Sequence, residues 1–444
     1  MRHPKALLAA AAVLSAVSSP VLAQLQEGEA PTPEQVAAGE VPAIPIPEEE
    51  LALRNLETQI AAMRWTRSAA TQLLGYVQAI GAEGLDPEDY EPMRLMHAIA
   101  RGDDQELSRV ATDTFLRVSS DLALGRVRGD GRLDWHHVDN DLDAQQQFAL
   151  MQQAVATDNV REVLDSLLPT HPQYAELKAV LATSVDPDER DTIRVNMDRW
   201  RWLPRDLGKR YIIVNVPAFT VALVENGHVV ARHRVVVGKP STATPQLTAV
   251  ATGVIFNPWW EVPASIAPEV RGKPGYVAVK NGDKVRYRQP PGPSNSLGRV
   301  KFVMPNNHAI YLHDTPSKSL FNRSVRAFSH GCIRTEDPLE FARLVLNNPK
   351  WDKAAIDRVV ASGKTVKADA TEATPVYIAY FTAAAIKDNG GIISYADLYR
   401  RDQKVVTALN NRGEPVMASS AGTRSPATPA VTPIPSVKPA SAPQ

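Results

Sequence analysis

Apolar side chains recur at helical spacing from residue 50 to about 185. Leu107, Val110, Ala111, Thr114, Phe115, Val118 and Leu122 are separated by steps of three and four, which aligns them along one side of a helix. Gly84-Leu85-Asp86-Pro87 and Arg128-Gly129-Asp130-Gly131 predict breaks between such helices. After Trp202-Leu203-Pro204 the period shortens. Residues 211–216 and 219–224 are β-branched and aromatic runs, Asn226-Gly227 is a hairpin signal, and 228–237 supplies the return strand. Strands are also expected over 250–257, 309–312, 376–381 and 392–395, with helical spacing returning only in 339–346. The pattern predicts an α+β chain with a helical N-terminal domain over 49–190 and a β-rich domain over 195–410.

Composition adds the flanks. Residues 1–23 carry Arg2, His3 and Lys5 ahead of an apolar run that ends in Val21-Leu22-Ala23, which reads as a secretory signal peptide cut after Ala23 and predicts an exported protein. Residues 24–48 are rich in Pro, Ala and Glu and read as a linker, and 417–444, rich in Pro, Ala, Ser and Thr, as a disordered tail. No later stretch approaches about 20 uninterrupted apolar residues, so no transmembrane segment is expected. Formal net charge is zero, which argues for neither nucleic acid nor an anionic membrane as partner. An apolar fraction of 44% over 444 residues permits two ordinary cores.

The chain has one cysteine, in FSHGCIRTEDP from Phe328 to Pro338, so no disulfide framework is available. A free thiol is usually a buried small hydrophobe. Here it has His330 two residues before it and His313 nineteen before it, and a base or a local positive field turns a thiol into a nucleophile. Gly331 leaves room for a carbonyl beside backbone N–H groups that could serve an oxyanion, and Arg334 places a permanent cation two residues beyond the thiol. His308, His313, His330 and Cys332 would also make a zinc ligand set, a reading to which the spacing of the motif is the alternative. His136-His137 reads as a surface or capping pair, and Trp259-Trp260 as packing or a substrate platform. Lys273, Lys280, Lys284, Arg286 and Arg288 form a basic run that would attract acidic peptides, or simply a solvated face. The Gly and Pro residues of 265–297 argue against a continuous packed strand pair and for a loop-rich lid.

Ile310-Tyr311-Leu312-His313-Asp314-Thr315-Pro316 followed by Ser329-His330-Gly331-Cys332-Ile333-Arg334 resembles the active-site signature of the L,D-transpeptidases, whose catalytic unit is the YkuD-type domain. The resemblance covers most of 195–410 and extends to Asn196-Met197-Asp198-Arg199-Trp200-Arg201-Trp202, which is similar to the entry into the catalytic domain of the larger periplasmic members. It implies a scaffold domain in the helical half and a substrate-capping insertion over 265–297. Tyr174 to Arg194 is too short for the peptidoglycan-binding module that those relatives place before the Arg-Trp-Arg-Trp stretch. Carried over, Cys332 is the nucleophile and His313 the proton donor and acceptor. Ser329, His330, Gly331 and Arg334 shape the oxyanion site or orient substrate, and Tyr311 and Trp260 are candidate substrate contacts. No metal or cofactor is implied. The partners are peptidoglycan stem peptides, a tetrapeptide donor and an amine acceptor, with D-Ala released and a 3-3 cross-link formed. The same cysteine with water as acceptor would give a carboxypeptidase or an amidase freeing wall-attached protein; a non-catalytic wall-binding protein is the third reading. In papain-like proteases the Cys precedes the His, the reverse of the order here.

Overall fold

A computed structural model gives the structure over residues 48–138, 141–281, 284–387 and 390–411. The expected signal peptide, the linker up to residue 47 and the tail over 417–444 lie outside the described residues. From Thr58 on, the described residues form one compact unit.

The helical half contains the helices that the periodicity predicts, and their first turns explain where they start. Thr66 accepts from the Ala69 amide ahead of Arg67–Ala79, Asp103 accepts from Gln105 and Glu106 ahead of Asp104–Leu124, and Asp143 forms a capping box with Gln146 ahead of Ala144–Ala156. Leu107, Val110, Ala111, Phe115, Val118 and Leu122 are all buried along the central helix. The helix Pro187–Trp202 starts on Asp186 and Pro187 and runs through 190–195, where a domain boundary was expected. The two halves are therefore joined by a rigid element and not by a linker.

The β-rich half builds one main sheet, curled on itself, and two smaller ones. Its strands up to Ala379 are β1 (Trp135–His136), β2 (Arg210–Asn215), β3 (Thr220–Glu225), β4 (His228–Gly238), β5 (Gln246–Phe256), β6 (Trp260–Glu261), β7 (Val277–Asn281), β8 (Lys284–Gln289), β9 (Val300–Val303), β10 (Leu312–His313), β11 (Ala327–Ser329), β12 (Ile333–Thr335) and β13 (Val366–Ala379). The order β5-β13-β2-β3-β4-β12-β10-β9 closes because β9 also pairs with β5. β1, from the helical half, adds to β5 in parallel, with Trp135 opposite Gln246. Val214, Val221, Leu223, Val235, Val254 and Phe302 fill the interior with Phe341 and Val345 of the helix Pro338–Leu346. Asn226 and Gly227 both take positive φ, 49° and 78°, which is the twist that a two-residue turn needs between right-twisted strands.

Four expectations change. The insertion does hold a strand pair: β6, β8 and β7 form a separate three-stranded sheet, with its Gly and Pro residues at the corners. The strand expected over 309–312 shrinks to β10, because Ala309 takes φ of 53° and turns the chain. Helical structure recurs beyond 339–346, in Lys353–Ala361 and Asp402–Asn410. His137 is buried rather than superficial, with Nδ1 2.6 Å from the Thr248 hydroxyl and Nε2 3.1 Å from the Ile378 carbonyl, while His136 stays exposed.

Candidate active site

β9, β10 and β12 lie side by side, and their register assembles the site. His313 is abreast of Lys301 on β9 and of Arg334 on β12. Paired residues on neighbouring strands share a face, and alternate residues along a strand return to it. Tyr311, two before His313, and Cys332, two before Arg334, therefore continue the same face, and Ile333 N–H donating to the Tyr311 carbonyl at 3.1 Å holds them level. The sequence separates these side chains by up to 33 positions, Lys301 to Arg334; the sheet gathers them into a patch two residues deep.

His313 is buried, and its Nδ1 lies 2.5 Å from the Asp314 carbonyl. A carbonyl can only accept, so the proton sits on Nδ1 and Nε2 keeps its lone pair, the form a general base requires. Burial, with Arg334 adding to it, pulls the imidazole down to about 3, so it is neutral at pH 7. The Cys332 thiol is half-buried and approaches the Ala309 carbonyl at 3.7 Å. Burial pushes it up, against hydrogen bonds from the Tyr311 amide and hydroxyl and the positive charges of Lys301 and Arg334. The resting thiol and imidazole are consequently both neutral, and not a preformed ion pair. Asp314 is 1% exposed and accepts from the Arg299 and Thr315 amides at 2.8 and 2.6 Å and from the Lys318 ammonium, which pins the end of β10.

The loop before Cys332 is held from inside. The Ser329 hydroxyl accepts from the Gly331 amide at 3.1 Å and donates to the Cys332 carbonyl at 2.5 Å. Thr244 donates to the Gly331 carbonyl at 2.7 Å, and the Lys239 amide and Thr242 hydroxyl donate to the Ser329 carbonyl at 3.0 and 3.1 Å. Gly331 has φ of 114°, and a Cβ there would sit 3.2 Å from Ile310 Cδ1, so both conformation and space call for glycine. Ser329 is thus a brace for the thiol loop, and the Gly331 amide is engaged by it instead of pointing at a substrate oxygen.

The imidazole of His330 turns away to Glu269 of the insertion, with Nε2 3.1 Å from Oε1, so its side chain ties the cap to the thiol loop. Trp260 is nearly buried at 9% exposure, and burial together with the nearby Cys332 thiol pushes the Tyr311 hydroxyl up. Trp259 is more exposed and carries Arg288 over its ring at 4.3 Å. Among the described residues no group of three His, Cys, Asp or Glu side chains is arranged to hold a metal ion, so the four zinc candidates do not converge. Sequence reasoning passed over Lys301, Glu269, Thr244 and Asp314. Lys301 reads locally as the polar position of an alternating strand, and its place, like those of the others, depends on register or on the cap.

Buried imidazoles also set an acid limit on stability. His137 and His313 are pulled to about 3 and His171 to about 4 by burial, against an ordinary 6.5. The unfolded chain therefore binds more protons than the folded one as pH falls below 6.5, and stability declines in that direction, by up to ~1.4 kcal/mol per pH unit for each fully buried imidazole. Asp121, pushed up to about 6 by burial, works with the opposite sign between its ordinary 3.8 and 6 and offsets one of them. The expected result is a urea midpoint clearly lower at pH 5 than at pH 7.5, less so in His137→Gln. An equal or higher midpoint at pH 5 contradicts it.

Residues 209–378 match the model of the YkuD family, the L,D-transpeptidase catalytic domain, and residues 60–181 match that of the scaffold domain. A Haemophilus influenzae protein named "Putative L,D-transpeptidase" is 30% identical over 290 residues, a match that takes in 58% of each chain. The chain thus spans less than two thirds of that curated relative. Among solved structures, an L,D-transpeptidase from Mycobacterium smegmatis is similar at 16% identity over 38% of this chain and 58% of its own, with a TM-score of 0.22. L,D-transpeptidase 1 of Mycobacterium tuberculosis gives 15%, 38%, 60% and 0.20 for the same quantities. Scores this low support no residue-by-residue transfer. The family matches and the sheet-built cysteine site agree on one statement: this chain carries a YkuD-type L,D-transpeptidase catalytic domain joined to a scaffold domain.

Proposed function

We propose that the protein is a periplasmic enzyme that joins peptidoglycan stem peptides through a thioester on Cys332. The carrying observation is the patch itself: a lone thiol on the face of the sheet that carries an imidazole whose Nε2 is unprotonated, flanked by two cations. Cys332 attacks the carbonyl of the third residue of a tetrapeptide stem, His313 takes the thiol proton and returns it to the departing D-Ala amine, and the acyl group rests on sulfur. A side-chain amine of a second stem then resolves the thioester to a 3-3 cross-link. Splitting one amide exchange into two steps is what covalent catalysis offers. No helix among the described residues is long and apolar enough to cross a membrane; export through the N-terminal signal read in the sequence would bring the protein to its substrate.

Water as acceptor would give a carboxypeptidase from the same site. The cap favours the amine, because the contact between Glu269 and His330 ties it to the thiol loop, where its closure over a thioester would limit water. Purified protein incubated with tetrapeptide muropeptides is expected to yield 3-3 dimers and free D-Ala, with dimer exceeding free tripeptide. Tripeptide alone would replace the transpeptidase reading with the carboxypeptidase one; no product, at demonstrated acylation, would remove both.

A further inference from the structure

Lys301 stands between Val300 and Phe302, both fully buried, and is itself half-buried. Its Nζ rests 4.0 Å above the centre of the Tyr311 ring. Among the described residues neither Lys301 nor Arg334 has a carboxylate within ion-pair distance, and Glu261 on β6 acts on Lys301 only through its more distant charge. Drawing two cations partly out of water without counter-ions is unfavourable, and an aromatic face offsets it only in part. The charge able to complete them is one that develops between them. The titratable groups facing that position are Lys301 from β9, Tyr311 and His313 from β10, Cys332 on its loop and Arg334 from β12, with His330 and Glu269 turned to each other at the edge.

We propose that Lys301 is a positioning residue of the cysteine chemistry, its ammonium holding the negative charge that Cys332 acquires when its proton leaves. This rests on Cys332 being the nucleophile. The Sγ–H bond breaks as Nε2 of His313 takes the proton, the sulfur pair forms the S–C bond, and the carbonyl π pair moves to oxygen. On collapse the C–N bond breaks and the proton goes from Nε2 to the leaving amine. Lys301 stabilises the sulfur anion of the first event. By the same charge it keeps His313 unprotonated beforehand, so the base is available at lower pH. One cation thus moves both members of the pair in the same direction, towards activity at lower pH.

The test uses the fact that Cys332 is the only thiol of this chain, so thiol alkylation by iodoacetamide, read by mass on the peptide that carries it, reports on Cys332 alone. In Lys301→Met the midpoint of the alkylation rate against pH is expected to rise by about one pH unit, a roughly tenfold lower rate at pH 7. The whole pH profile of acylation by a carbapenem is expected to move to higher pH, both limbs together. Lys301→Arg should restore the midpoint to within about twofold in rate. A merely structural loss would lower the rate at every pH without moving the profile. If Lys301→Met does not fold, Lys301→Gln is read in its place. An unmoved midpoint in a folded variant, or Lys301→Arg displaced as far as Lys301→Met, overturns the proposal. Alkylation needs no peptidoglycan, so failure of the proposed substrate would leave this result standing, and failure here would leave the substrate reading intact.

Discussion

Cys332→Ala is expected to abolish transfer and covalent capture together while leaving the fold in place. The chain has no second thiol to substitute, and removing the nucleophile of a covalent mechanism costs on the order of 10⁴-fold or more in rate. The fold should persist because alanine keeps the Cβ of this partly buried residue at the edge of the core, the sulfur's one hydrogen-bond partner is the Ala309 carbonyl at 3.7 Å, and the loop is held by Ser329, Thr242 and Thr244. Intact-mass spectrometry after exposure to a carbapenem should show one adduct on the wild type and none on Cys332→Ala. Cys332→Ser should acylate far more slowly, since burial disfavours the charged form of either group and an alcohol begins from a much higher pKa. An adduct on the alanine variant would place the chemistry on another residue.

The thiol and its histidine were legible because they lie in one short stretch, two strands apart, and carry residue types with few structural uses. The state of the pair was not legible. The sequence offered His313 as the proton acceptor that activates the thiol but not the charge of either group; the sheet buries both and leaves both neutral, assigning charge stabilisation to Lys301 and Arg334. Lys301 reads locally as the solvent-facing position of an alternating strand; only the pairing of β9 with β10 shows that its face is the reactive one. The strand pair of the insertion was hidden for a related reason. Val277-Ala278-Val279 and Lys284-Val285-Arg286-Tyr287 do have strand composition, but the flanking Gly and Pro residues dominated the reading, although they mark the corners of the small sheet. His137 looked superficial because its burying partners, Thr248 and Ile378, lie more than a hundred residues away.

Asp198→Ala is the substitution expected to weaken the fold most. The side chain is 0% exposed and sits on the helix Pro187–Trp202 that crosses between the helical and β-rich halves. One carboxylate oxygen accepts from the Arg126 amide at 2.7 Å, the other from the Val127 amide at 3.1 Å and from the Trp202 indole at 2.8 Å, with Arg201 at 3.4 Å. Trp202 in turn lies so close to Gly125 that a Cβ there would be 2.6 Å from its ring, so the carboxylate, the indole and the turn after the central helix are fitted together. Alanine would leave two backbone amides and an indole N–H without acceptors in a dry site, and would remove the carboxylate beside Arg201, a guanidinium 2% exposed. Breaking a buried charged network from one side costs about 3–5 kcal/mol, a large fraction of what holds most domains together. Asp198→Asn keeps one oxygen acceptor at the right place and should lose clearly less. Because the turn held by Asp198 leads into β1 and so into β5, the loss is expected to appear as one earlier, cooperative unfolding transition of both halves, followed by urea with circular dichroism and with tryptophan emission. A midpoint equal to wild type would mean that the carboxylate is not what joins the halves; separate transitions for the two probes would mean that the helix does not couple them.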